Sequence, residues 1–146
     1  MDITWIRGVL VASALGTTAL VGCGGSEVAT EAALGECFQD PADSDEVGEL
    51  DKVDCGDAHD NEVIAVFDLD GDDFPGVDEV QSQAEEGCIE EFEPYVGSTY
   101  EDSDLDLFTI TPTEETWDAA DDREVICSVF ALDGSQVEGS VKGSGR

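Results

Sequence analysis

The chain contains a single histidine, His59, so any catalysis that needs an imidazole would have to use it. Glu62 follows three residues later, and the two side chains together offer two ligands to a metal ion. A Ser-His-Asp hydrolase would also need a nucleophile, and the sequence has no G-x-S-x-G elbow. A zinc site would need more ligands, and there is no second histidine. We therefore expect no catalytic residues, no bound metal and no cofactor, with His59 holding a turn by hydrogen bonding.

Cysteines are the other residues whose chemistry can be judged from their spacing. There are five of them, and no C-x-x-C pair occurs, which argues against a zinc ribbon or a redox motif. Without Cys23, four cysteines remain, an even number that suits disulfide formation in an oxidising compartment. Four cysteines allow three pairings, so the sequence predicts two disulfides among Cys37, Cys55, Cys88 and Cys127.

Cys23 ends the segment Leu20-Val21-Gly22-Cys23, which resembles the lipobox of bacterial lipoproteins. In such proteins residues like 1–22 are a secretory signal peptide, and the cysteine becomes a lipidated N-terminus. Acyl chains such as palmitate, two or three together, would anchor the protein stably. The apolar run from Gly8 to Gly22 has fifteen residues, too few for the roughly twenty of a spanning helix. We predict lipidation at Cys23 and a location at the extracytoplasmic face of the cell membrane; a retained anchor or an unlipidated product is the alternative.

The charge of the chain excludes some partners. It has 5 Lys+Arg against 37 Asp+Glu, a formal net charge of −32. Nucleic acids need a basic footprint, and anionic lipid headgroups would repel such a surface. We therefore expect no nucleic-acid binding, membrane contact through the lipid anchor, and an envelope protein partner with a basic surface. The alternative role for the charge is solubility.

Removal of residues 1–22 from 146 leaves 124, enough for one small domain. We divide it into a flexible tether over 23–35, a domain over 36–143 and a tail over 144–146. A helix is predicted over Val77–Phe92, because Val77, Val80, Ala84, Cys88 and Phe92 form one apolar stripe. Pro94 and Gly97 would break it. A short helical turn is expected over Thr113–Asp118.

Strands are predicted where β-branched and aromatic residues lie between turn residues. They are Cys37-Phe38, Leu50–Cys55, Glu62–Phe67, Leu105–Ile110 and Glu124–Leu132, and Val137–Val141 can pair back on the last of these. The predicted fold class is α+β: a small, mostly antiparallel sheet with one main packed helix, stapled by two disulfides.

Two further segments have alternative interpretations. Asp68–Asp73 resembles a calcium loop, but an EF-hand needs glycine at its sixth position, where Asp73 stands, so an acidic turn is favoured. Trp117, between a proline turn and a strand, is either an exposed recognition residue or part of the core, and we favour the core.

With these residues placed, the chain resembles the septum-formation domain family of actinobacterial envelope proteins. The resemblance covers about residues 35–143 as an ordered set of motifs. It rests on Cys55 with His59, then Glu62-Val63, Phe74-Pro75-Gly76, Cys88, Tyr95 with Gly97, Pro112 before Trp117, Arg123 with Cys127, and Gly139-Ser140 with Lys142-Gly143. Two departures are Ala58, where a proline is usual, and a spacing from Trp117 to Arg123 that is one residue longer than usual, with Ala120 in place of glycine.

The resemblance implies a link to division septa but no reaction, and it gives no role to His59, Glu62, Trp117 or Arg123. We predict disulfides between sequence neighbours, Cys37 with Cys55 and Cys88 with Cys127. The predicted function is a non-catalytic, lipid-anchored envelope module for protein interaction in cell division. The alternative is an extracytoplasmic lipoprotein that binds a divalent cation or a small ligand.

Overall fold

A computed structural model describes residues 31–40 and 50–146. The predicted signal peptide, Cys23 and most of the tether lie outside the described residues, as does the loop over 41–49. Within the described part, no helix is both long enough and apolar enough to cross a membrane.

The fold is α+β, as predicted, and centres on one five-stranded antiparallel sheet. The strands are β1 (Cys37–Gln39), β2 (Asp51–Val53), β3 (Ala58–His59), β4 (Asn61–Asp68), β5 (Leu105–Ile110), β6 (Glu124–Ala131) and β7 (Val137–Glu138). The strands of the main sheet lie in the order β2-β1-β4-β6-β5. A second sheet pairs two short strands, β3 and β7. The helices are α1 (Val77–Val96) and α2 (Glu114–Ala120), with a short 3-10 turn at Tyr100–Asp102.

The long helix α1 packs its apolar stripe on one face of this sheet. Val80, Ala84, Cys88 and Phe92 are buried with alternate residues of β6, as the helical spacing predicted. Val77 was placed in the same stripe and is instead 62% exposed. Val77 is the first residue of the helix, and the stripe is buried only from Val80 onward.

The predicted end of α1 was wrong by four residues, since the helix continues through Pro94 to Val96. A proline removes one i to i−4 hydrogen bond, but Pro94 lies in the last turn and faces outward, so little is lost. The helix ends at Gly97, whose φ of 86° is left-handed and whose N–H donates to the Glu93 carbonyl.

The last strand pairs differently from the prediction. Val137 and Glu138 do not pair back on β6; they pair with His59 and Ala58. Residues 58–59, expected as part of a turn, therefore form a strand. Gly139 extends this contact by donating its N–H to the Cys55 carbonyl. The chain end thus closes over the region around His59, an interaction between residues almost eighty positions apart that local patterns do not reveal.

Both predicted disulfides are present. Cys37–Cys55 joins residues separated by 18 positions, and Cys88–Cys127 joins α1 to β6 across 39 positions. The first bond holds the segment before His59 against β1. The second crosses the core between helix and sheet, because both of its cysteines are fully buried.

Candidate functional site

Glu62 is a carboxylate buried inside the domain, with 1% of its surface exposed. It lies on β4 opposite Cys37 of β1 and Val129 of β6, and its side chain meets α1. Its Oε1 accepts hydrogen bonds from the Tyr95 hydroxyl at 2.8 Å and the Ser140 hydroxyl at 2.6 Å. Its Oε2 accepts from the backbone N–H of Val141 at 2.7 Å. Both oxygens are therefore occupied by protein donors, as a buried carboxylate requires.

His59 lies beside this carboxylate and is equally buried. Its Nδ1 is 2.9 Å from the Asp57 carbonyl, which can only accept, so Nδ1 carries a proton. Its Nε2 is 3.9 Å from Glu62 Oε2, too far for a hydrogen bond. No other described side chain or backbone group bonds to Nε2. The predicted role of His59 in holding a turn thus agrees with its contact to Asp57, two residues earlier.

The network ties together segments that are distant in the sequence. Tyr95 comes from the end of α1, and Ser140 and Val141 come from the segment after β7. The backbone N–H of Gly143 donates a hydrogen bond to the Tyr95 carbonyl at 2.8 Å. Burial, together with the hydrogen bond and the charge of Glu62, raises the pKa of Tyr95 to about 12. Glu62 therefore acts as the point where β4, α1 and the chain end are joined.

One group of metal-type ligands is found among the described residues. A sulfur each from Cys37 and Cys55 and a carboxylate oxygen of Glu62 lie within 4.8 Å of one another. Both sulfurs belong to one disulfide, so they are not thiolates, the form that binds metal. Three protein donors already occupy most of the acceptor sites of the carboxylate. As placed, this group fits no resident ion.

The other two motif residues, Trp117 and Arg123, form a separate cluster with the acidic turn that follows β4. Trp117 is 1% exposed, which confirms the core prediction, and its indole N–H donates to the Asp72 carbonyl at 3.2 Å. The Arg123 guanidinium stacks 3.8 Å from the Trp117 ring centre. It also donates to the carbonyls of Gly71 at 3.0 Å and Trp117 at 3.0 Å. The turn predicted over Asp68–Asp73 is therefore held through its backbone carbonyls, while the carboxylates of Asp70, Asp72 and Asp73 remain exposed.

The longer loop between these two residues has a local explanation. The helix α2 begins with a capping box between Thr113 and Thr116 and ends at Ala120. The left-handed residue is the next one, Asp121, with φ of 55°. Aspartate tolerates this conformation better than most side chains, and Asp121 also pairs with Arg123 at 3.1 Å. The glycine expected at position 120 is thus unnecessary here.

The sequence placed His59 with Glu62, and the structure brings them together. It gave Trp117 and Arg123 only as separate motif positions, and their contact is a finding of the structure. The sequence did not identify Tyr95, Ser140 and Val141 as partners of Glu62. The signal for the first two was present, since both belong to the ordered motif set. Val141 contributes a backbone N–H, which no pattern of residue types can reveal.

A family model for septum formation matches residues 22–127, which is most of the 146-residue chain. The chain belongs to the septum-formation family. The matched range contains every cysteine and both pairs of motif residues, so the suspected resemblance is confirmed. It ends before the segment that supplies Ser140 and Val141 to this septum-formation domain. Neither the curated proteins nor the solved structures include a match.

Proposed function

We propose that this protein is a non-catalytic envelope module, lipid-anchored through Cys23, that binds another protein of the division or wall-growth machinery. The observation that carries the proposal is the family match over residues 22–127, which supports a role related to septum formation. The matched range begins one residue before Cys23, so it includes the proposed lipid attachment site.

The buried network supports a structural role for the family's motif residues. Glu62 is inaccessible to solvent, and its oxygens already accept hydrogen bonds from Tyr95, Ser140 and Val141. A catalytic carboxylate must reach a substrate, whereas this one is bound by three donors from two segments of its own chain. The guanidinium of Arg123 likewise donates hydrogen bonds to backbone carbonyls of its own domain.

The exposed surface favours a basic protein partner. The chain carries −32 net charge, and α1 presents acidic side chains along its solvent side. Such a surface accelerates encounter with a cationic partner and repels polyanions. The association rate should therefore fall as salt is added.

Lipid attachment is tested by Cys23→Ser. The variant should accumulate as uncleaved precursor or be released from the membrane, and it should lose incorporation of labelled palmitate. Unchanged incorporation would rule out Cys23 as the lipidated residue.

The role at the septum is tested by proximity labelling from the anchored protein in living cells, combined with imaging of a tagged copy. We expect enrichment at division sites and labelled neighbours from the division or wall-growth machinery. A uniform envelope distribution, no such neighbour and no septal defect on deletion would together contradict the proposal. Complementation by Glu62→Gln separates structure from chemistry: a folded variant that fails to complement would indicate a chemical role for the carboxylate.

A further inference from the structure

A groove of about 620 Å³ runs between α1 and the second half of β4. Its α1 side is formed by residues at helical spacing, namely Gly87, Glu90, Glu91, Pro94 and Tyr95. Its β4 side is formed by consecutive residues, Ile64 to Phe67. Ile64, Ala65 and Phe67 pack with α1, whereas Val66 packs with a separate cluster that contains Phe38 and Ile126. A groove that touches all four residues therefore lies along the edge of the strand.

This edge of β4 is open within residues 31–40 and 50–146. The strand β1 pairs only with Asn61 and Glu62, at the start of β4. Val63 then exchanges backbone bonds with Glu36 and Gly35. From residue 64 onward, no described strand lies on that side, while β6 pairs on the other. An unpaired strand edge presents backbone N–H and C=O groups that can bind an added strand.

The walls of the groove carry both apolar and acidic side chains. Phe67, Pro94 and the exposed Leu34 provide apolar surface. Gly87 keeps the helix close to the strand, because a Cβ at this position would collide with the Phe67 ring. Glu90 and Glu91 are exposed on the helical side of the groove. Among the described residues, the one cation that lines it is Lys142, whose Nζ lies 5.5 Å from the Tyr95 ring centre, above that ring.

We propose that this groove binds an extended peptide segment of a basic partner protein, which adds to the open edge of β4. Alternate side chains of the segment would be Lys or Arg, on the α1 side against Glu90 and Glu91, and apolar, on the opposite face of the sheet beside Val66. Backbone hydrogen bonds to residues 64–68 supply affinity, and this alternation supplies specificity. This inference rests on the proposed function, since it names the surface where that partner binds.

The test uses the full-length protein in detergent and synthetic fluorescent peptides. A probe that alternates valine and lysine should bind saturably, and probes that alternate valine with glutamate or serine with lysine should bind much more weakly. Methylation of the backbone nitrogens along one edge of the valine-lysine probe should abolish binding, because strand addition needs those N–H groups. Equal binding of the methylated probe, or of the valine-glutamate probe, would overturn the proposal.

Two charge-reversal variants locate the site. Glu90→Lys/Glu91→Lys should weaken binding of the valine-lysine probe by about five- to tenfold at low salt, since each exposed ion pair is weak singly and its reversal adds repulsion. Glu85→Lys/Glu93→Lys is the matched control: it changes the net charge equally on the same helix, at exposed positions that do not line the groove. Equal weakening by both variants would mean that only overall charge matters and would overturn the site.

The same variants in cells separate this inference from the proposed function. If the protein still labels division proteins and Glu90→Lys/Glu91→Lys labels them equally, the groove assignment fails while the function stands. If a cross-link from a photoreactive residue at position 94 leads to residues of this chain's own N-terminus or to a second copy, the groove has a different occupant and the proposal is wrong. If no division protein is labelled by any variant, the proposed function itself fails.

Discussion

At the residue scale, Glu62 shows how a buried charge can serve architecture. An uncompensated carboxylate inside a protein is strongly unfavourable, but three donors offset its desolvation. Two donors are hydroxyls, which can also accept, and the third is the Val141 N–H, which cannot. The network therefore requires an acceptor at Oε2 more strictly than it requires a negative charge.

Substitutions of Glu62 test this distinction. Glu62→Gln should cost no more than about 1 kcal/mol of unfolding free energy, because its carbonyl can face Val141 and its amide can donate to the two hydroxyls. Glu62→Ala should cost about 3 kcal/mol or more, since it leaves several buried groups unpaired. Urea denaturation gives both values, with the exposed Glu86→Gln as a control near zero. An alanine variant as stable as the parent would refute the role of the network.

The two tyrosines give a second test, based on pH. Burial and Glu62 raise the pKa of Tyr95 from 10.0 to about 12. A hydrogen bond to Asp106, with burial, raises the pKa of Tyr100 to about 12 as well. The folded state then keeps both phenolic protons at a pH where the unfolded state loses them. Each tyrosine thus adds stability below pH 10.0, and this contribution is lost as the pH rises toward 12.

Ultraviolet titration of tyrosinate checks this directly. The chain has only these two tyrosines, so the whole signal reports them. The folded protein should titrate near pH 12, and the same protein in denaturant should titrate near 10. Tyr95→Phe should remove about half of the shifted signal and reduce the loss of stability at high pH. A folded protein that titrates near 10 would contradict both hydrogen bonds.

At the scale of elements, local periodicity predicted the helix α1 and the main strands, because their buried faces repeat at fixed spacing. It failed where the decisive partner is remote. Residues 58–59 carry turn-type neighbours, yet they form a strand because Val137 and Glu138 pair with them. The helix passes Pro94 because only the last turn is affected. Ser140 and Val141 were not assigned to Glu62, since nothing local places the chain end beside β4.

The disulfides were predictable as pairs, and their removal tests their contribution. In the chain-entropy model, closing 18 residues stabilises by about 3 kcal/mol and closing 39 residues by about 4 kcal/mol. Cys37→Ala/Cys55→Ala and Cys88→Ala/Cys127→Ala should therefore lower the unfolding free energy in urea by about these amounts. The second pair should lose more, because it also empties part of the core. Variants as stable as the parent would show that neither bond stabilises the fold.

At the scale of the whole molecule, the dominant quantity is the net charge of −32. Among the described residues, only three Lys or Arg side chains form ion pairs, at Lys52–Glu36, Arg123–Asp121 and Arg146–Asp104. Most acidic side chains therefore repel one another, and self-repulsion opposes the compact state. The disulfides and the buried network offset this repulsion.

Salt should consequently stabilise the protein, and the manner in which it does so separates the two predicted functions. The Debye length falls from about 10 Å at 0.1 M to about 3 Å at 1 M ionic strength, so sodium and potassium chloride should raise Tm equally and without saturation at low concentration. Calcium, magnesium and zinc chloride should then raise Tm by amounts similar to one another when the ionic strength is matched. A site selective for one ion would behave differently, because a ligand at 100 times its Kd stabilises by about 2.7 kcal/mol. A saturable shift at low concentration of one divalent ion would favour a cation-binding lipoprotein over the interaction module.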